Sequence, residues 1–166
     1  MAFAIAEDAV TRAFQNLGNE WALLAAGNES KSNAMTVSWG SLGFIWQRPV
    51  VMAMVRPQRY TYEFTEAEEL FSLSFYGREY RKALSVMGTR SGRDGDKVAE
   101  AGLTPCLIDG VPGFKEAYLT VIVRKLYRGK LEEAGFLSKA IAAEFYPEKD
   151  YHTLYFGEVV KTVGRQ

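Results

Sequence analysis

The sequence predicts a mainly β protein, an antiparallel barrel of six or seven strands with short helices at its periphery. Three observations carry this. Strand-like runs recur at 21–26, 33–39, 50–55, 70–76, 114–127 and 151–163. Several alternate by face: between Leu70 and Tyr76, Phe71, Leu73 and Phe75 oppose Ser72, Ser74 and Tyr76. The segments between strands rarely hold a helix of crossover length, which argues against a Rossmann-type parallel sheet. With 166 residues, 48% of them hydrophobic and 13% aromatic, one domain spanning 1–166 with a substantial core is expected. No repeat, low-complexity tract or linker interrupts it.

The chain opens with a helix over 6–17, in which Val10, Ala13, Phe14 and Leu17 form one apolar stripe. Gly18 ends it. Residues 21–26 read as a buried strand, and the polar turn Gly27 to Ser32 joins it to Asn33–Gly40 as an antiparallel hairpin. In that second strand Met35, Val37 and Trp39 point one way, and Ala34, Thr36 and Ser38 the other. The small, hydroxyl-bearing face suits either a half-buried strand or a flat ligand lying close to the backbone. Gly40 to Arg48 reads as a loop. Val50 to Val55 has no polar face and reads as a strand buried on both sides. A helix is expected from near Tyr60, its exposed face carrying the acidic run Glu63 to Glu69. After the strand at 70–76 come a helix over 78–87, a polar loop at 88–96 and a brief helix at 97–101 ended by Gly102. Residues 104–108 and 110–113 frame a turn. Phe114 to Tyr127 gives the strongest strand signal. A short helix over 136–145 and a long strand over 151–163 close the chain.

Composition excludes several function classes. Lys plus Arg and Asp plus Glu are 20 each. The chain therefore offers no excess charge to nucleic acid or an anionic membrane, and a barrel binding single strands would need a basic track. One cysteine, Cys106, permits neither an intrachain disulfide nor a CxxC pair. With a single histidine, His152, no zinc-type cluster is visible. The N-terminal residues reach Glu7 and Asp8 without a basic region or apolar core, unlike a signal peptide, and no apolar run approaches a membrane span. A cytoplasmic location is expected.

Two clusters could hold an anion. Arg56, Arg59, Tyr60 and Thr61 gather where a buried strand ends and a helix begins. Free backbone amides there favour an anion, and guanidinium forks match phosphate oxygens. The alternative is two solvated arginines beside the acidic run. The loop 88–97 carries three glycines with Arg90, Arg93 and Lys97, within a 78–97 stretch of six basic and three acidic residues. Glycine allows close backbone approach to a ligand, but no nucleotide motif is matched, so a solvated loop stays open. His152 is either a hydrogen-bonded structural residue or a proton donor near pH 7. Cys106 reads as an inert core thiol. Trp39 and Trp46 suit packing or stacking on a planar ligand.

Four blocks, NAMTVSWGSLG, RPVVMAMVRPQRYTYEF, YRKALSVMGTRSGRDGDK and KDYHTLYFGEVV, run in this order from about Ser32 to Val160. Together they resemble the flavin reductase-like proteins of the flavoredoxin type. The resemblance implies an FMN-binding split barrel, a homodimer with FMN near its interface, and hydride transfer from NAD(P)H to flavin. A non-enzymatic FMN electron carrier serving a protein acceptor is the alternative. It places Asn33, Ala34, Met35, Thr36, Val37, Ser38 and Trp39 beside the flavin ring, with Thr36, Ser38 and strand amides on its polar edge. Arg56, Arg59, Tyr60 and Thr61 would hold the ribityl phosphate. Ser91, Gly92, Arg93 and Lys97 match the block near the flavin, and His152 the histidine opening the last strand. The phosphate site implied by resemblance falls on the arginine cluster read from the residues themselves.

Overall fold

The computed structural model describes residues 17–164. Its elements are β1 (Ala22–Gly27), β2 (Ser32–Val37), β3 (Gly40–Ile45), β4 (Arg48–Val55), α1 (Thr61–Ala67), β5 (Leu70–Phe75), α2 (Arg81–Thr89), α3 (Lys97–Ala101), β6 (Pro105–Ile108), β7 (Val111–Phe114), β8 (Leu119–Lys130), α4 (Lys139–Phe145) and β9 (Thr153–Gly164). Seven strands form one antiparallel sheet in the order β2-β1-β5-β8-β9-β4-β3, and β6 pairs with β7 as a separate hairpin. The mainly β, antiparallel architecture is the one the sequence predicts.

The sheet curls around one core. Leu24 of β1, Val37 of β2, Val55 of β4, Phe71 and Leu73 of β5, Val123 of β8 and Tyr155 of β9 all meet inside it. Burying a residue such as Phe71 or Leu73 contributes about 1.5–3 kcal/mol each. The 12-residue strands β8 and β9 shift register between Ile122 and Val123 and again between Lys125 and Tyr127. Such bulges bend long strands and let a sheet close on itself. Leu23, Ala25 and Ala34 face outward and are covered by Leu84 and Met87 of α2, with Leu103 and Phe114. With both faces covered, all six residues of β1 are buried, which accounts for its unbroken apolar run.

The hairpin of β1 and β2 forms as expected, Ala22 opposite Val37 and Gly27 opposite Ser32. Other expectations need correction. The supposed loop at 40–48 contains β3, paired with β4 from Gly40–Ala53 to Ile45–Arg48. Gly40 has a steric reason: a Cβ there would sit 2.7 Å from the Met52 carbonyl oxygen. The single strand expected over 114–127 is two, β7 and β8, separated at 115–118. The turn expected between 104–108 and 110–113 does form, as the β6–β7 hairpin, turned by Asp109 and Gly110 at φ 50° and 82°. The helix expected over 136–145 is α4, which starts at Lys139. In β4, Val51, Ala53 and Val55 face the core, whereas Met52 and Met54 are only half-buried. Of the helix expected at 6–17, Val10, Ala13 and Phe14 lie outside the described residues; Leu17 joins the core. Among the described residues, no helix is long and apolar enough to cross a membrane.

Candidate functional site

β2 is an end strand of the sheet, hydrogen-bonded only to β1. Half of its backbone N–H and C=O groups therefore point away from β1 with no strand partner. A cavity of about 210 Å³ opens along this edge, bordered by Met35 to Trp39, Met54, Arg56, Arg59 and His152. A second cavity, of about 140 Å³, lies between the 58–61 turn, the start of the 89–92 loop and Lys97. Arg59 borders both. Among the described residues, no carboxylate borders either one.

The electrostatics of the smaller cavity follow from two cations, the half-buried Arg59 and the buried Lys97. The Arg59 side chain has no ion pair or hydrogen bond among the described residues. Burial and the neighbouring Arg56 both lower its pKa. Lys97 is 4% exposed. Its Nζ donates to the carbonyls of Met87 at 3.1 Å and Arg90 at 3.3 Å, at the end of α2. Burial first and Arg59 second push its pKa down to about 8. Three cations thus act in series, Arg56 lowering Arg59 and Arg59 lowering Lys97, along a wall whose described residues include no carboxylate, an arrangement that favours an anion. Asn33 Nδ2 donates to Thr61 Oγ1 at 2.8 Å behind this wall. Gly92 is required there, because a Cβ would run into Asn33 Oδ1 and approach Tyr60 Cδ1 at 3.2 Å. α1 begins directly after Tyr60, as expected, without a side-chain cap.

At the other end of the larger cavity, Tyr146 Oη and His152 Nδ1 are hydrogen-bonded at 2.7 Å. His152 is buried, and its pKa falls to about 4 through burial and Arg56, with Asp150 opposing. Such lowering favours the neutral imidazole at neutral pH. Trp39 stands edge-on to Phe145 and tilted against His152, each at 5.3 Å between ring centres. It is 40% exposed, so its ring forms a side wall rather than part of the core. Ser38, also on the cavity wall, has a hydroxyl with no partner among the described residues.

The structure brings together most of the residues singled out from the sequence. Met35, Thr36, Val37, Ser38, Trp39, Arg56, Arg59 and His152 border the larger cavity; Arg59, Tyr60, Thr61, Ser91, Gly92 and Lys97 border the smaller. Four side chains have other occupations. Arg56 donates to Asp150 Oδ2 at 2.5 Å and to the Phe145 carbonyl at 2.7 Å, so its fork is engaged. Thr36 Oγ1 donates to the Leu84 carbonyl at 2.5 Å, tying β2 to α2. Ala34 is buried against α2 on the far side. Arg93 borders neither cavity; it stacks 4.5 Å over the Tyr60 ring and pairs with Glu63. Sequence reasoning passed over Met54, Phe145, Tyr146 and Gln58, which donates to Asp150. The aromatic cluster Phe145, Tyr146 and Tyr151 around His152 is the signal that could have drawn attention to them. Cys106 is a half-buried free thiol whose pKa is raised, chiefly by burial.

The antiparallel sheet, split between β2 and β3 with two cavities that share Arg59, defines a split-barrel fold. Residues 14–165 match the flavin reductase like domain, and the chain belongs to that family. It is similar in fold to an FMN-binding protein from Thermus thermophilus solved with p-hydroxybenzaldehyde, at TM-score 0.69 and 20% identity, covering 87% of this chain and 71% of that one. Flavoredoxin from Methanosarcina acetivorans gives TM-score 0.68 at 21% identity over 89% and 69% of the two chains. A split-barrel protein of Shewanella frigidimarina assigned as a flavin reductase gives 0.67 at 18% identity over 99% and 81%. No curated protein matches the chain significantly by sequence.

Proposed function

We propose that this chain, as one domain over 1–166, binds FMN across the two cavities that share Arg59 and passes hydride to it from NADH or NADPH. One observation carries the reading. The Ser38 hydroxyl, the Arg59 guanidinium and His152 Nε2 have no hydrogen-bond partner among the described residues, and all three belong to the wall of one cavity whose described lining holds no carboxylate. Bound FMN would supply the hydride chemistry, which no side chain here possesses. Arg59 and Lys97 would take the phosphate, with Thr61, Ser91 and Gly92 shaping its seat. The unpaired edge of β2 and Ser38 Oγ would offer hydrogen bonds to the polar rim of the ring. Trp39 and Met54 would wall it from water. Hydride transfer depends on stacking and orientation, so the lack of a catalytic acid–base pair is consistent with this chemistry.

The exposed apolar side chains of β3, Leu42, Phe44 and Ile45, with Tyr127 of β8, support a homodimer. The similarity to flavoredoxin supports a second reading, an FMN-containing electron carrier that serves a protein acceptor. One preparation tests both. The purified protein should be yellow, release FMN on denaturation and run at twice the chain mass in light scattering. With FMN it should oxidise NADH or NADPH. FMN retained through gel filtration with neither nicotinamide oxidised would replace the reductase by the carrier. No flavin binding would overturn both.

A further inference from the structure

We propose that Tyr146 is a positioning residue that fixes the tautomer of His152, so that Nε2 carries the proton and presents a neutral N–H donor to the larger cavity. The argument is one of hydrogen-bond satisfaction. Tyr146 is 4% exposed, and its hydroxyl meets one group among the described residues, His152 Nδ1 at 2.7 Å. A phenol has a single proton to donate. If Nδ1 carried the imidazole proton, Nδ1 would donate to the phenol oxygen, and the phenolic proton would be buried without an acceptor. That arrangement costs about the desolvation of one polar group, on the order of 1–3 kcal/mol. If the phenol donates to Nδ1, both groups are satisfied and the imidazole proton resides on Nε2.

The phenol is held in place to do this. Arg56 lies 5.1 Å over the Tyr146 ring while donating to the adjacent Phe145 carbonyl. Tyr151 packs on the other ring contacts at 5.0 Å, and Phe136 at 5.6 Å. Nδ1 faces Tyr146, which does not border the cavity, whereas His152 itself does. A neutral donor suits this position. It can bond an oxygen or nitrogen acceptor that gains electron density, and it keeps its proton through the whole physiological range. The role toward a ligand rests on the flavin reading above; the tautomer does not.

His152 is the single histidine of the chain, so its ring nitrogens can be observed without ambiguity. In ¹⁵N-labelled full-length protein at pH 7 without flavin, long-range ¹H–¹⁵N correlation should show a protonated Nε2 and an unprotonated Nδ1. In Tyr146→Phe, which keeps the ring under Arg56, a measurable share of the Nδ1–H form should emerge. An Nδ1–H tautomer in the wild type overturns the proposal whether or not the variant folds, and so does an unaltered tautomer in a folded variant. On adding FMN, the wild-type Nε2 proton should shift, and FMN should bind the variant about two- to tenfold more weakly. If Nε2 stays put while FMN absorbance reports binding, the donor role falls and the flavin reading stands. If FMN does not bind, the flavin reading falls and the tautomer result is untouched.

Discussion

Replacing Arg59 by alanine separates a ligand-holding arginine from a structural or a solvated one, because the three predict different combinations of effects. Arg59 has no acidic partner among the described residues and lies close enough to Lys97 to lower its pKa. Its removal therefore breaks no internal bond and relieves a like-charge repulsion, so the flavin-free protein should be as stable as the wild type or slightly more so. The cost should appear on binding. A charge-assisted hydrogen bond to phosphate contributes about 1.5–3 kcal/mol, which is about 10- to 150-fold in Kd. FMN affinity should fall by that factor in a titration of flavin fluorescence, while thermal unfolding without flavin is unchanged. Riboflavin, which lacks the phosphate, gives the internal control: wild type should prefer FMN over riboflavin, and Arg59→Ala should lose most of that preference. An unchanged preference would refute the assignment of Arg59 to the phosphate. A destabilised flavin-free variant would refute the claim that the guanidinium is unpaired.

Lys97 gives a pH signature. Its folded pKa lies near 8, below the ordinary 10.5, so between these values the unfolded chain binds more protons than the folded one. Its contribution to stability therefore rises with pH across that interval, whereas FMN affinity falls as the cation is lost. Lys97→Met should abolish both trends relative to wild type in parallel melts and titrations from pH 7 to 10; persistence of both would refute the assignment. Thr36→Val should lower the stability of the flavin-free protein by about 1 kcal/mol, because the side-chain bond that ties β2 to the Leu84 carbonyl of α2 is lost. An unaltered denaturation midpoint would show that bond to be dispensable. Gly92→Ala should weaken FMN at least tenfold, since the added methyl displaces Asn33 and with it the bond to Thr61; wild-type FMN affinity would show the loop to be more yielding than its contacts imply.

The legible parts of the fold were those with local causes. β1, β2 and β5 announce themselves by apolar runs or alternation between polar turns, and the β6–β7 hairpin by Asp109-Gly110. β3 was illegible for two physical reasons. Its side chains are exposed from Ser41 to Ile45, so no buried face imposes a pattern. Its turn into β4 puts Trp46 and Gln47 at φ 54° and 59°, conformations that sequence signals assign to glycine or asparagine. At the site, residue types were readable but their partners were not. Arg56 looked equivalent to Arg59 from the sequence. What distinguishes them is Asp150, 94 positions away, which engages one and leaves the other alone. Lys97 likewise looked like a loop cation until the carbonyls at the end of α2 buried its head.

The place where the barrel fails to close explains why chemistry gathers there. β2 and β3 are consecutive in the chain, joined only by Ser38 and Trp39, yet they stand at opposite ends of the strand order. Ser38 and Trp39 therefore span the gap between the two unpaired edges of the sheet. Unpaired sheet edges must be protected or used. The β2 edge lies along the cavity that also holds the unpaired Ser38 hydroxyl and Arg59, so its free backbone groups are suited to a planar ligand with a polar rim. The β3 edge carries Leu42, Phe44 and Ile45 in the open and suits an apolar partner instead. A fully closed barrel of the same strands would satisfy both edges internally and retain neither capacity. On the proposed function, the split is what would convert an ordinary antiparallel core into a binding site, and Trp39, held against Phe145 and His152, stands at the crossing between the two edges.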